Sequence, residues 1–378
     1  MKIIRLTPLD TFFFRDARSF QAGEDAWAEG VFPPPPSVLY GALASAFYAS
    51  QNDFSLSDNT EVNNRQREML KNFRITGIFI SVYDGKIVLP VPRDVVKLKD
   101  EDKNNLMYLE RKPNTLVSSL QTEEMLFSPQ QSETASGYVD DNTYKKILLR
   151  ENLDNPSYYS DIVITEGKTG IGREKLTYTA QEGELYTMNM YRFNTDKYKK
   201  CQIVVTCEGL ELPEKGITRL GSKKCFSYTT EDMGITTDKF IPSPPKEDMK
   251  ENIFRLCLST PCIFQKGWIP HWLDENTLEG NVPGTDLRLK LVTAAIGKPT
   301  LLGGFNMKAK NGKGFPKPMC RMVPEGSVYY FRILEGTYEE VIQKFHFKSV
   351  SEKSPSKEEN STTDNTAKKG FGIAFIGI

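Results

Sequence analysis

Histidine is nearly absent from this chain, with only His271 and His346 among 378 residues. Several imidazoles therefore cannot converge on one ion, and metal catalysis of that kind is excluded. The six cysteines, at 201, 207, 225, 257, 262 and 320, include no CxxC pair. That fits neither a zinc knuckle nor a small disulfide framework, so reduced, mostly buried thiols are expected. No apolar run approaches the roughly eighteen residues a membrane span requires. The opening MKIIRLTPLD lacks the charged, apolar, small-residue order of a secretory signal, and the expectation is a soluble, cytoplasmic protein. Net charge is missing too. Lys plus Arg and Asp plus Glu number 49 each, so a polyanion would have to meet a local basic patch rather than a generally basic body.

Length is what the chain does have. At 378 residues it exceeds the roughly 250 to 300 residues at which single cores stop growing, and two domains are expected. Pro244-Pro245 and the charged KEDMKEN mark the linker, dividing residues 1–245 from 246–378. KIIRL at 2–6 reads as a first strand, followed by a long ordered loop. Four prolines at 33–36 hold the approach to the next helix in polyproline II geometry, and Ser37 is placed to cap that helix, VLYGALASAFYAS. ITGIFISVYDGKIVLPVPRD reads as a hairpin, with Asp84-Gly85 supplying the positive φ angles of a tight turn. Residues 95–168 are charged and irregular and read as a surface insertion.

ELYTMNMYRF at 184–193 and CQIVVTCEGL at 201–210 read as a second strand pair. In the second half, IFRLCLSTPCIF, LRLKLVTAAIG, PTLLGGFNM and SVYYFRIL read as strands, TYEEVIQKFHF as a helix, and 351–367 as a disorder-prone loop. Strand, helix, strand pair, helix, strand can be laid out twice, the ferredoxin-like order. The class is α+β, although no internal sequence repeat supports the doubling.

The ending KKGFGIAFIGI invites three readings. A dinucleotide fingerprint needs a helix after its glycines, and only Ile378 follows Gly377. Lys369-Gly370-Phe371-Gly372 matches the opening of the RRM strand signature, but Ile373, Ala374 and Ile376 depart from it. The third reading is a buried final strand behind a flexible glycine turn.

Charge is concentrated in three stretches. FFRDARSF sets Arg15 and Arg18 between Phe14 and Phe20, and arginine interleaved with aromatics suits single-stranded RNA, because guanidinium forks grip phosphate while rings stack on bases. The alternative is an Arg15–Asp16 surface pair over buried phenylalanines. TGIGREKLTYTA at 169–180 could be a glycine turn, Gly170 and Gly172 letting a phosphate approach and Arg173 supplying charge. Residues 296–321, IGKPTLLGGFNMKAKNGKGFPKPMCR, carry five lysines and one arginine against no acidic residue, the largest local basic excess, or else a solvated basic loop. RLGSKK at 219–224 adds Gly221, Lys223 and Lys224 with little signal of its own.

Taken together, RLTPLDTFFFRDARSF, FPPPPSVLYGAL, GIGRE, LYTMNMYRF, IGKPTLLGGF, VPEGSVYYF and GFGIAFIG resemble the third Cmr subunit of type III-B CRISPR complexes, in the RAMP superfamily. The resemblance runs from the first strand to the last residue. It implies two ferredoxin-like, RRM-related domains and a subunit that binds the repeat-derived 5′ end of a guide RNA without cofactor or catalysis. Its implied partners are that RNA, the large polymerase-like subunit and the backbone RAMP subunits. Carried over by motif, the implied RNA contacts are Arg15, Arg18, Phe20, Ser37, Arg173, Lys298, Gly303, Gly304, Gly370 and Gly372.

Two other classes compete. A metal-independent ribonuclease would need a base near the 2′ hydroxyl, but His271 lies between tryptophans in GWIPHWLD and His346 ends the last helix in FHF, where a charged ring would suit the helix dipole. A protein-only assembly module would show no RNA dependence.

Overall fold

The period-two pattern of KIIRL becomes strand β1 (Lys2–Pro8), with Ile4 and Leu6 facing the core. The computed structural model describes residues 1–15, 27–51, 68, 70–83, 85–99, 105–116, 121–221, 224–232, 241–246, 249, 251–306, 314–352 and 365–378. Arg18, Phe20, Lys223 and most of the 351–367 loop lie outside them. Over this range the fold is mixed α+β, with few helices and many strands.

A two-residue strand β2 (Trp27–Ala28) precedes helix α1 (Pro36–Ser50), strand β3 (Arg74–Val82) and strand β4 (Lys86–Pro90). The β3–β4 turn is the expected hairpin, with Gly85 at φ +126°. Ser37, however, caps nothing. The N-cap position is Pro35, which has no acceptor, and Pro36 fills the first turn, where its missing N–H costs no bond. Pro35 itself holds polyproline II angles, φ −54° and ψ 138°, and the Phe32–Pro33 peptide is cis.

The region read as a surface insertion contributes to the core. Strand β5 (Tyr138–Asp140) pairs with β4, and helix α2 (Asp141–Leu148) follows, its first turn capped by the Asp140 carboxylate accepting from Thr143 N–H at 2.9 Å. Tyr144, Ile147 and Leu148 are wholly buried. Strand β6 (Tyr158–Tyr159) is followed by a long hairpin of β7 (Val163–Arg173) and β8 (Ala180–Phe193). Strands β9 (Gln202–Glu208), β10 (Lys215–Arg219) and β11 (Cys225–Asp232) complete the half. The main sheet runs β6-β5-β4-β3-β9-β1-β11-β10, and β7-β8-β2 form a separate one. The expected pairing of 184–193 with 201–210 does not occur, because β8 pairs with β7 while β9 is inserted between β3 and β1.

The second half is built from β12 (Ile253–Leu258), β13 (Glu279–Asn281), β14 (Arg288–Ala295), β15 (Val328–Glu335), helix α3 (Tyr338–Phe345), β16 (Lys348–Ser349) and β17 (Ile373–Gly377). Their order is β13-β14-β15-β12-β17-β16. Helix α3 opens on a full capping box, Thr337 with Glu340. All five residues of β17 are buried, so the terminal apolar run is a core strand.

One apolar cluster joins the halves. Phe79 and Val204 from the first sheet meet Tyr330 and Phe375 from the second, with Tyr144 and Ile147 of α2 in the same cluster. All six cysteines are free thiols, four of them buried.

Candidate nucleic-acid interface

The loop after β1 is held by three backbone anchors. Leu9 N–H donates to Cys225 O, Phe12 exchanges hydrogen bonds with Tyr191 of β8, and Val31 N–H donates to Phe14 O. These place the phenylalanines inward. Phe12, at 0% exposure, sits among Phe14, Phe32, Phe193 and Phe226 with ring centroids 5.3–6.0 Å apart. Phe13 and Phe14 are equally buried. Phe13 and Phe14 of this motif therefore belong to the core, and the reading of Phe14 as a base-stacking platform is corrected; Phe20 lies outside the described residues. Arg15 comes at the end of the buried run. It is exposed and bridges to Gly30, where a β-carbon would come within 2.7 Å of the Tyr191 ring.

Two lysines from distant segments converge on the same turn. Lys168, on β7, donates to Thr11 Oγ1 at 2.6 Å. Lys224, from RLGSKK, pairs with Asp10 at 2.8 Å, and with backbone help from Thr11 holds that carboxyl down to about 2. Gly221 explains why the RLGSKK loop can approach so closely. At φ +64°, any β-carbon there would lie 2.5 Å from Phe13 O. Sequence reasoning passed over Lys168 and gave Lys224 little weight, since nothing local links them to residues 8–15.

The GIGRE stretch is not a glycine turn. Gly170 and Gly172 lie within β7, facing Tyr186 and Glu184 of β8 so closely that a side chain at either would collide with them. The reversal is made at residues 174–179 instead. Arg173 is exposed near that tip. It stands eight residues beyond Thr165, the partner of Tyr191, which at about 3.3 Å per residue is roughly 26 Å from the level of the first-strand loop. Arg15 and Arg173 are therefore not neighbours.

In the second half, Lys298, Gly303 and Gly304 are all exposed. Beyond Lys298 the chain forms short ribbons, Thr300–Leu302 with Cys320–Met322 and Phe305–Asn306 with Phe315–Pro316. Lys317 N–H donates to Gly304 O at 2.8 Å. The ribbon also reaches the terminal turn, where burial, helped by the charge of Lys317, lowers Lys369 to about 8.

The terminal glycines have their own constraints. Gly370 at φ +89° would place a β-carbon 2.7 Å from Ile75 of β3, and Gly372 at φ +65° would place one 2.6 Å from Ser351 N. The amide of Gly370 donates to Ala367 O, that of Phe371 to Thr366 O and that of Gly372 to Pro261 O. None of the three is open to a phosphate, contrary to the RNA contacts that the resemblance implies for Gly370 and Gly372. Gly370 thereby lets the second half pack closely against the first, and Gly372 lets its own half close on Ser351 and Cys262.

Where the halves meet, Pro33, Pro34 and Pro36 face Ser259, Thr260 and Glu325 across a cavity of about 40 Å³. Neither histidine enters any of these surfaces. His346 is buried, with Nε2 on Ile241 O at 2.8 Å and Nδ1 accepting from Ile376 N–H at 3.2 Å. That pattern requires the neutral ring, not the charged one expected at the helix end. His271 is half-exposed and held through Nδ1 to Glu352 at 2.8 Å. The packing role expected of it belongs to its neighbours, Trp268 against Tyr329 and Trp272 against Phe331. Among the described residues no group of three side chains could hold a metal ion, and no helix is long and apolar enough to cross a membrane.

The profile of the CRISPR-associated Cas_Cmr3 family matches residues 4–378. The chain belongs to this family. It is thereby the third subunit of type III-B Cmr effector complexes. No curated protein matches it. Among solved structures it is similar to a chain in cryo-EM structures of Type III-B Cmr-beta bound to cognate target RNA. With AMPPnP also bound (state 1), the identity is 17%, coverage is 87% of this chain and 86% of that one, and the TM-score is 0.48. With target RNA alone, the values are 16%, 87%, 86% and 0.48. It is also similar to a chain in the Csm3-Csm4 subcomplex of the type III-A interference complex, at 12% identity, 90% and 96% coverage and a TM-score of 0.39.

Proposed function

We propose that this Cmr3-family chain is a non-catalytic, cytoplasmic subunit that grips the repeat-derived 5′ end of the guide RNA and anchors the large polymerase-like subunit beside the backbone RAMP subunits. The observation that carries the reading is the convergence of Lys168 and Lys224 on the turn that ends in exposed Arg15. Cations drawn from three separate segments onto one exposed turn favour a phosphate chain over a single carboxylate. Arg18 and Phe20 continue that loop, Lys298, Gly303 and Gly304 supply the second-half margin, and Arg173 extends the surface along the β7–β8 arm. Gly370 serves it indirectly, by closing the seam against which the RNA-facing loops rest, while Ser37 and Gly372 stand in the first turn of α1 and beside Ser351.

The domain reading is of two ferredoxin-like units, 1–245 and 246–378. Strand order supports it. β3-β9-β1-β11 and β14-β15-β12-β17 each follow the second, third, first, fourth order of that fold. The first unit keeps its first helix, α1, and the second keeps its second, α3.

The test is crosslinking of a guide RNA substituted with 4-thiouridine in its 5′ segment, within purified assemblies, followed by peptide mapping. Labels in residues 10–40 and 296–321 support the groove. Labels only elsewhere, or guide RNA shortened by the purified chain itself, overturn the reading.

A further inference from the structure

We propose that Arg93, with Lys298 beside it, forms a phosphate-gripping site on the seam between the two halves; the inference rests on the RNA-binding reading above and extends its surface to Arg93, which no motif marks. Arg93 follows β4, and its backbone N–H donates to Gly326 O at 2.8 Å. Its side chain lies directly over Gly297, where a β-carbon would come within 2.5 Å of both Cζ and Nε. Only a residue without a side chain leaves room for that guanidinium, and Gly297 is followed immediately by the exposed Lys298.

Arg5, Arg74, Arg111, Arg192, Arg288 and Arg332 each have a carboxylate within 4 Å. Among the described residues Arg93 has no such ion pair, and its Nε is buried without a hydrogen-bond partner there. A half-buried guanidinium without a carboxylate partner has already lost part of its hydration, and a planar two-oxygen acceptor meeting its terminal amines would offset that loss. Phosphate and carboxylate both have that shape. Phosphate is favoured because the adjoining 296–321 segment carries six cations and no acidic residue. The nearest competing anion is partly buried Glu325. Burial raises its pKa, against the pull of Arg93.

The experiment uses complexes reconstituted from the full chain, its partner subunits and 4-thiouridine-labelled guide RNA, comparing wild type with Arg93→Gln, Arg93→Lys and Lys298→Gln. Guide retention is measured across a salt titration, crosslinked peptides are mapped, and the melting temperature of each free variant is recorded. Arg93→Gln is expected to weaken retention about tenfold, as for one charge-assisted contact, and to reduce the salt slope by about one unit. Arg93→Lys should restore the slope but only part of the affinity, since a point charge cannot replace the fork. Lys298→Gln, at an exposed position, should lower the slope with no change in melting temperature, which keeps the test decisive even if Arg93→Gln unfolds. Unchanged retention in both neutral variants, or loss of a protein neighbour with guide contacts intact, overturns the proposal. Absence of any crosslink on this chain would instead sink the RNA-binding reading itself, whereas labels at residues 10–40 with none at Arg93 or Lys298 would sink only this one.

Discussion

Arg255 and Asp94 form an ion pair at 2.8 Å in which neither side chain is more than 1% exposed. Arg255 stands on β12 of the second half, and Asp94 lies just past β4 of the first. The same guanidinium donates to Leu148 O at 3.0 Å, to Ile147 O and to Ile378 O, while Tyr330 O–H donates to Asp94 at 2.7 Å. The clasp therefore joins both sheets to the C-terminal end of α2, whose orphan carbonyls it satisfies. Removing one partner leaves the other charged and alone in a dry seam. Asp94→Ala is expected to cost about 3–5 kcal/mol, and replacing both residues with apolar ones of similar volume should cost less than either single change. Urea denaturation of the three variants checks this; a cost near zero for Asp94→Ala would contradict it.

Gly370→Ala and Gly372→Ala are expected to act on stability before they act on RNA. Each forces a side chain into a left-handed backbone and into atoms less than 3 Å away, a penalty of about 1–3 kcal/mol. The measurement is melting temperature of the isolated chain without RNA. If both variants melt like wild type yet lose guide RNA, the turn binds RNA after all and its internal hydrogen bonds are replaceable.

Lys168→Ala and Lys224→Ala should each lower the salt dependence of guide retention by about one unit, and Arg15→Ala likewise, with no preference among RNA sequences. Lys224→Ala should also release Asp10 towards the ordinary carboxylate range, since their hydrogen bond is the main cause of its depression. Retention titrated against salt, and a carboxyl titration by NMR, read the two effects separately.

Lys369 adds a pH dependence. Its folded value of about 8 lies below the ordinary lysine value of 10.5, chiefly through burial and then through Lys317. Between those limits the unfolded chain holds a proton that the folded chain has released, so this group makes the fold more stable as pH rises from about 8 towards 10.5 and less stable as pH falls back. The melting temperature of wild type relative to Lys369→Met should therefore increase from pH 7 to pH 10. A constant difference would show that Lys369 titrates normally.

Much of the secondary structure was legible because it depends on neighbours in sequence. The Asp84-Gly85 hairpin, the Thr337–Glu340 capped helix and the apolar terminal strand each carry their own local signal. The candidate site was only partly legible. Arg15 and Lys298 announced themselves by local charge, but the phenylalanines beside Arg15 could be core or platform until Tyr191 anchored their backbone. Gly170 and Gly172 had the composition of a phosphate turn, and only the register with β8 showed them to be clearance for Tyr186 and Glu184. Helix α2 was hidden because its polar face and short length resemble surface chain, and its burial depends on two sheets closing over it.

By itself, then, the sequence determined element types where periodicity and turn chemistry are local, and its two histidines argued against metal catalysis through several imidazoles. Tertiary structure alone decided which segments these cations meet: Lys168 and Lys224 the first-strand turn, Lys317 the neighbourhood of Lys369, and Arg93 the backbone at Gly297. The physical reason is that charge density and backbone clearance are properties of points in space. Strand pairing across more than a hundred residues sets those points, and no spacing along the chain encodes them.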